Sequence, residues 1–220
     1  MTFIPADSIS LVIFLILSFL MLAMILLGFK KIKPGIKGPA IWAGYFIIFN
    51  VVVLSGLPAK HIIPIVPLLF ISLLGLYIYL ALSEVGTKTV ATFSPAVLIG
   101  FQVFRLPLEL VLHQWASVGT VPVTMTWTGQ NFDIVTGVLS LISIPFLKGS
   151  RKLASTVNVI GFLLLLNVLR VVVMSSPLPF SWPLENPLQL IFYYPYCLIA
   201  PLFVGPALFG HIVAFRKLKK

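Results

Sequence analysis

Residues 9–29 read ISLVIFLILSFLMLAMILLGF, and residues 30–37 turn at once to KKIKPGIK. The first stretch carries no charge, and as a helix at about 1.5 Å per residue it covers about 30 Å, the thickness of a bilayer's hydrocarbon core. The lysines behind it, Lys30, Lys31, Lys33 and Lys37, belong in water or among head groups. No basic segment precedes the run and Asp7 stands ahead of it, so a spanning helix is expected here rather than a cleavable signal.

The same pattern recurs at roughly 38–57, 64–83, 96–118, 133–149, 156–176 and 188–215. The expectation is an all-α, polytopic integral membrane bundle of seven transmembrane helices, forming a single transmembrane domain over residues 1–220. Composition demands the same solvent: 60% of the residues are hydrophobic and 9% are charged, against about 25% charged in soluble domains. A chain with so few charges does not cover a water-facing surface.

Charge then orients the bundle. With seven spans, Lys30, Lys31, Lys33, Lys37, Lys88, Lys148, Arg151, Lys152, Arg216, Lys217, Lys219 and Lys220 fall on one side and only Lys60 on the other. Cytoplasmic loops collect Lys and Arg, so the N-terminus is expected outside and the C-terminus in the cytoplasm, in a bacterial-type inner or plasma membrane. These clusters are expected to set topology and meet lipid head groups. The net charge of +10 therefore carries no nucleic-acid reading. The lone Cys197 forms no internal disulfide or redox pair and reads as a small buried apolar side chain.

Three polar residues interrupt the fourth run. Arg105, Glu109 and His113 are spaced i, i+4, i+8, so at about 100° per residue they share one helix face. Pro107 between them removes a backbone donor and frees a carbonyl one turn back. The sixth run carries Asn167 and Arg170, with Arg170 expected near the depth of Glu109. The fifth begins with Asn131 and Asp133, expected at or just above the level of His113. Charged side chains at membrane depth must face the protein interior and pair. Two arginines and two carboxylates balance, which suits either a salt-bridge network joining helices or a site for a small solute, an anion or a proton.

In the site reading, Arg105 and Arg170 attract an anionic group and Glu109 and His113 are the titrating pair. Gln130, Asn131, Tyr193, Tyr194 and Tyr196 are candidates to line the cavity, and the Thr-rich segment 119–132 is its expected lid. An interfacial aromatic belt accounts equally well for the tyrosines, and it is the expected role of Trp115, Trp127 and Trp182. Glu109 and His113 have ligand spacing for a metal, but no HExxH motif or facing histidine accompanies them. No metal or cofactor is assigned. His61 reads as a loop residue and His211 as an interfacial one.

Retinal chemistry needs a lysine in the last helix, and residues 188–215 contain none. No GxSxG elbow is present. Three function classes stay open: binding or transport at an outward-facing polar site; an intramembrane enzyme on a lipid-linked or quinone-like substrate; and a non-catalytic subunit or assembly factor. The lipid bilayer is the one partner implied in every case, with a small-molecule or ion ligand, an oligomer or a partner subunit as further expectations.

Overall fold

The computed structural model describes residues 3–147 and 149–219, which are helical with no strand among them. Lys148 and Lys220, counted above with the inner basic residues, lie outside the described residues. The helices are α1 (Ser8–Ile32), α2 (Lys37–Leu54), α3 (Ile62–Leu82), α4 (Glu84–Thr92), α5 (Pro95–Ser117), α6 (Ile134–Phe146), α7 (Arg151–Ser175) and α8 (Tyr196–Lys219). Among the described residues, six helices are long and apolar enough to cross a membrane: α1, α2, α3, α5, α7 and α8. Helix α6 is shorter than its expected span, at about 20 Å against about 30 Å of hydrocarbon.

The chain packs as two compact units. Residues 18–98 and 190–219 form one of them, with α8 packed along α3 and α4. Its polar keystone is the buried Tyr77. The Tyr77 hydroxyl accepts from Trp42 Nε1 at 2.9 Å and donates to the Pro201 carbonyl at 2.5 Å. That carbonyl needs an outside donor for a local reason. Residues Ala200–Val204 form a π-helical turn in which the Gly205 N–H reaches back to Ala200. In this i→i+5 register the partner of Pro201 is residue 206, a proline without an N–H.

At one end of this unit the basic residues cap helices. Arg216 donates to the Ala81 carbonyl and, at 2.9 Å, to Thr87 Oγ1, while Lys217 Nζ reaches the Val90 carbonyl at 2.8 Å. Lys88 Nζ donates to the Lys33 carbonyl at 2.7 Å and pairs with Glu84 at 2.9 Å. The hydrogen bond from Lys88, then that from the Gly35 N–H, hold the Glu84 carboxyl below its usual range. Arg216, Lys217 and Lys88 thus satisfy carbonyls at the C-terminal ends of α3 and α4 and just past α1, where the helix dipole favours positive charge. Cys197 is fully buried in an apolar cluster with Phe49, Val53 and Leu69. His211 is also in this unit and is 1% exposed, which corrects its expected interfacial place.

The other unit holds residues 3–17 and 99–189. Asp7 caps α1 by accepting the Ser10 N–H at 3.0 Å and the Ser10 hydroxyl at 2.6 Å. The same Ser10 hydroxyl accepts from Trp115 Nε1 at 3.1 Å, and the Trp115 ring packs on Phe14 with centroids 5.0 Å apart. Trp115 is fully buried. It is therefore a core residue tying α1 to α5 and not part of an interfacial belt. The ring faces the interior of the unit and not the lipid.

The side-chain and backbone hydrogen bonds from Ser10 hold the Asp7 carboxyl below its usual range. A carboxyl lowered by folding stabilises the fold above its ordinary pKa of about 3.9 and loses that contribution as pH falls through the lower folded value. Amide exchange at Ser10, corrected for the intrinsic rate, should therefore be slow at neutral pH and accelerate on acidification below that range. In Asp7→Ala, which removes the acceptor, it should already be fast at neutral pH and change little.

Candidate functional site

Helix α5 carries the site because its period puts Arg105, Glu109 and His113 on one face. Pro107 leaves Val103 without its helical donor, and the turn before it, Phe101–Phe104, is tightened to 3₁₀. Arg105 lies about 15 Å along α5 from Pro95 and about 18 Å from Ser117, near the middle of the helix.

Helix α6 runs antiparallel to this face. Its register is read from Asp133 against Arg105, Gly137 against Leu106 and Ile144 against Gly100. The approach at Gly137 is close: a Cβ there would lie 2.6 Å from the Leu106 backbone nitrogen, so only glycine fits. Asp133 therefore starts α6 at the middle of α5. This corrects the expectation that Asn131 and Asp133 stand level with or above His113, which lies about two turns, or about 12 Å, farther out than Arg105.

The cause is segment 119–132, which packs one side into the unit while Val123, Thr128 and Phe132 stay exposed. Thr120, Val121, Met125, Thr126 and Asn131 are each 3% exposed or less. The segment satisfies its own backbone: Gly129 N–H donates to the Thr126 carbonyl at 2.9 Å, Gln130 N–H to Thr124 at 3.2 Å and Asn131 N–H to Thr126 at 3.1 Å. Irregular backbone is tolerated at membrane depth only when it is shielded in this way.

Asn131 is the hub. Its Nδ2 donates to Glu109 Oε1 at 2.7 Å and to the Met125 carbonyl at 3.0 Å, and its Oδ1 accepts the Asp133 N–H at 3.1 Å. Arg105, 1% exposed, makes an ion pair with Asp133 and donates from Nε to Gln102 Oε1 at 3.1 Å. Thr136 Oγ1 donates to the same Asp133 carboxylate at 3.3 Å. Glu109 is 2% exposed, yet its Oε2 has no hydrogen-bond partner among the described residues. One turn farther out, His113 Nδ1 is likewise buried and without a partner among the described residues, and its ring stacks on Trp127 at 4.2 Å.

Arg170 does not join this group. It is exposed, donating to Gln130 Oε1 at 3.1 Å and Asn167 Oδ1 at 3.0 Å, with its guanidinium 5.5 Å from the Trp182 ring centroid. Asn167 Nδ2 donates to the Gln130 carbonyl at 2.7 Å. The expected cluster is thus two groups. A buried one holds Arg105, Asp133, Glu109 and Asn131, with the half-buried His113 one turn farther along α5, and a rim holds Arg170, Asn167, Gln130 and Trp182. The two-against-two balance fails, because Arg105 neutralises Asp133 and Arg170 faces out, leaving Glu109 with an amide as its donor. Tyr193, Tyr194 and Tyr196 belong to the other unit, with Tyr194 exposed and Tyr196 buried.

Residues absent from the expectation are Gln102, Thr136 and Ser140, all buried. The α6 pair was legible as polar positions three and seven residues after Asp133, one helical face. Gln102 is one turn before Arg105. Among the described residues no group of three His, Cys, Asp or Glu side chains gathers to hold a metal; His61 is exposed beside the short helix Leu57–Lys60.

The fold and site together define an all-helical membrane protein with a charged group buried among its helices. No family model, curated protein or solved structure matches the chain.

Proposed function

We propose that this is a seven-crossing membrane protein, N-terminus outside, whose Glu109–His113 face takes up a proton from the outer side during transport or sensing. The observation that carries the reading is the buried Glu109 carboxyl with one oxygen held by Asn131 and the other unpartnered among the described residues. An intramembrane ionisable group that is not consumed in pairing marks an ion or proton pathway by default. A proton fits better than an anion, since Arg105 is engaged by Asp133 and Arg170 by Gln130 and Asn167. It also fits better than a bulky solute, because it needs an acceptor and almost no volume.

Chain direction supports seven crossings. The 119–132 segment meets the C-terminal parts of both α5 and α7, through Asn131 on Glu109 and Thr124 on Ser175. Those helices run the same way, and the chain returns between them through the irregular segment and α6, a discontinuous span of the kind that lines intramembrane sites. The gathering of loops 30–37 and 84–93 with residues 216–217 at one end of their unit supports the inner side. The Arg105–Asp133 ion pair joins α5 to α6 and favours a structural role for Arg105.

The test is labelling with dicyclohexylcarbodiimide, which attacks protonated carboxyls in apolar surroundings, read by peptide mass spectrometry on the purified protein. Glu109 should be modified, and more slowly in alkaline than in acidic buffer. Glu109→Gln should abolish that adduct alone. A folded protein that stays unmodified at Glu109 throughout would discard the proton site.

A further inference from the structure

Helix α6 carries a second polar feature that the Glu109 site does not use. Thr136, Ser140 and Ser143 follow Asp133 at positions i+3, i+7 and i+10, and all are buried, at 1%, 1% and 6% exposure. They form one face that leads away from Asp133 toward the end of α6 that lies level with Gly100. Small residues on such a face let helices approach closely, as Gly137 does against Leu106. Packing needs the small volume and not the hydroxyls, since alanine serves it equally. Yet the Ser140 hydroxyl is buried with no hydrogen-bond partner among the described residues, and an unsatisfied buried hydroxyl is costly.

We infer that Thr136, Ser140 and Ser143 are the inward leg of a proton path whose outer leg is His113 and Glu109. The inference rests on the proton reading of Glu109. Asn131 stands between the two carboxyl groups, holding Glu109 by Nδ2 and the Asp133 backbone by Oδ1. Its amide positions both groups but carries no proton, so the transfer runs from the open Glu109 Oε2 to a bridging water, which releases its own proton to the Asp133 carboxylate. Asp133 in turn is joined to Thr136 at 3.3 Å. Along α6, Thr136 and Ser140 are one turn apart, about 6 Å, which one water bridges with two hydrogen bonds of about 2.8 Å. In each transfer a hydroxyl or water oxygen accepts one proton and releases its own to the next acceptor, so charge moves inward with no net change in the ladder. Arg105 and Gln102 face Asp133 at the head of the leg. Arg105 remains the fixed counter-charge that keeps other cations from following.

The experiment uses the whole protein in phosphatidylcholine–phosphatidylglycerol vesicles with an internal pH-sensitive dye and an imposed pH gradient. The wild type should dissipate the gradient. The Thr136→Val/Ser140→Ala double variant, which nearly keeps volume and removes hydroxyls, should slow it by about a hundredfold or more, the low end of what one lost proton-transfer group costs. Ser140→Thr should retain the flux, which separates hydroxyl loss from misfolding, and carbodiimide labelling of Glu109 should be unchanged in both variants. Undiminished flux in the double variant overturns the inward leg. A wild type with labelled Glu109 but no flux also overturns it and leaves a one-sided site standing. Absence of both flux and labelling overturns this inference together with the reading it rests on.

Discussion

Arg105→Met is expected to destabilise the protein by about 3–5 kcal/mol, because it leaves the Asp133 carboxylate buried without its partner. Arg105 is 1% exposed and joins α5 to α6 at the depth where Asn131 also meets Glu109. Loss of the cation therefore disturbs the start of α6 and the end of the irregular segment together. The informative comparison is a double-mutant cycle measured by denaturant unfolding in mixed micelles. Asp133→Leu alone should cost a similar amount, now through an orphaned guanidinium. Arg105→Met/Asp133→Leu should recover most of the loss, since replacing a buried pair by apolar groups of similar volume is often neutral. Additive losses would mean that Gln102 and Thr136, rather than the ion pair, hold the two helices in register.

Trp115→Ala is the second large effect, expected at about 3 kcal/mol. Soluble cores lose about 3–5 kcal/mol for this change. In a membrane protein the lower end applies, because the unfolded side chain enters lipid and not water, leaving chiefly the cavity and the lost contacts. The ring is fully buried against Phe14, and its Nε1 reaches Ser10, which the Asp7 cap also holds. Trp115→Phe should restore most of the packing and leave only the hydrogen bond missing, about 1 kcal/mol. Thermal unfolding followed by size-exclusion recovery reads both variants. A belt tryptophan facing lipid would tolerate either change within a few tenths of a kcal/mol, so near-wild-type stability of Trp115→Ala would return Trp115 to the interface.

Several site residues moved relative to one another between sequence and structure, and each move has one kind of cause. Arg105, Glu109 and His113 share a face as their spacing requires, since 3.6 residues per turn fixes azimuth within a single helix. Arg170 obeys the same period on α7, but its partner face depends on how α7 is rotated, and it turns outward to Gln130 and Trp182. Asp133 and Asn131 lie deeper than the run boundaries predict, because segment 119–132 has no period from which depth can be read. Its alternation of threonines suited a lid, whereas its internal hydrogen bonds allow it to lie buried. The Tyr77–Pro201 bond was equally illegible, since it joins residues 124 positions apart.

By itself, then, the sequence determined the lipid solvent of the chain, the positions of its long helices and the polar face of α5. Apolar run length and helical period are local quantities, complete within about 20 residues. Tertiary structure alone decided that Asp133 neutralises Arg105, that Arg170 faces out, that Trp115 is core, and that Glu109 is left with an amide on one oxygen and an open acceptor on the other. Those outcomes depend on helix rotation and on the depth of an irregular segment. Both are set by which buried groups find partners across the fold, and no periodicity along the chain encodes that.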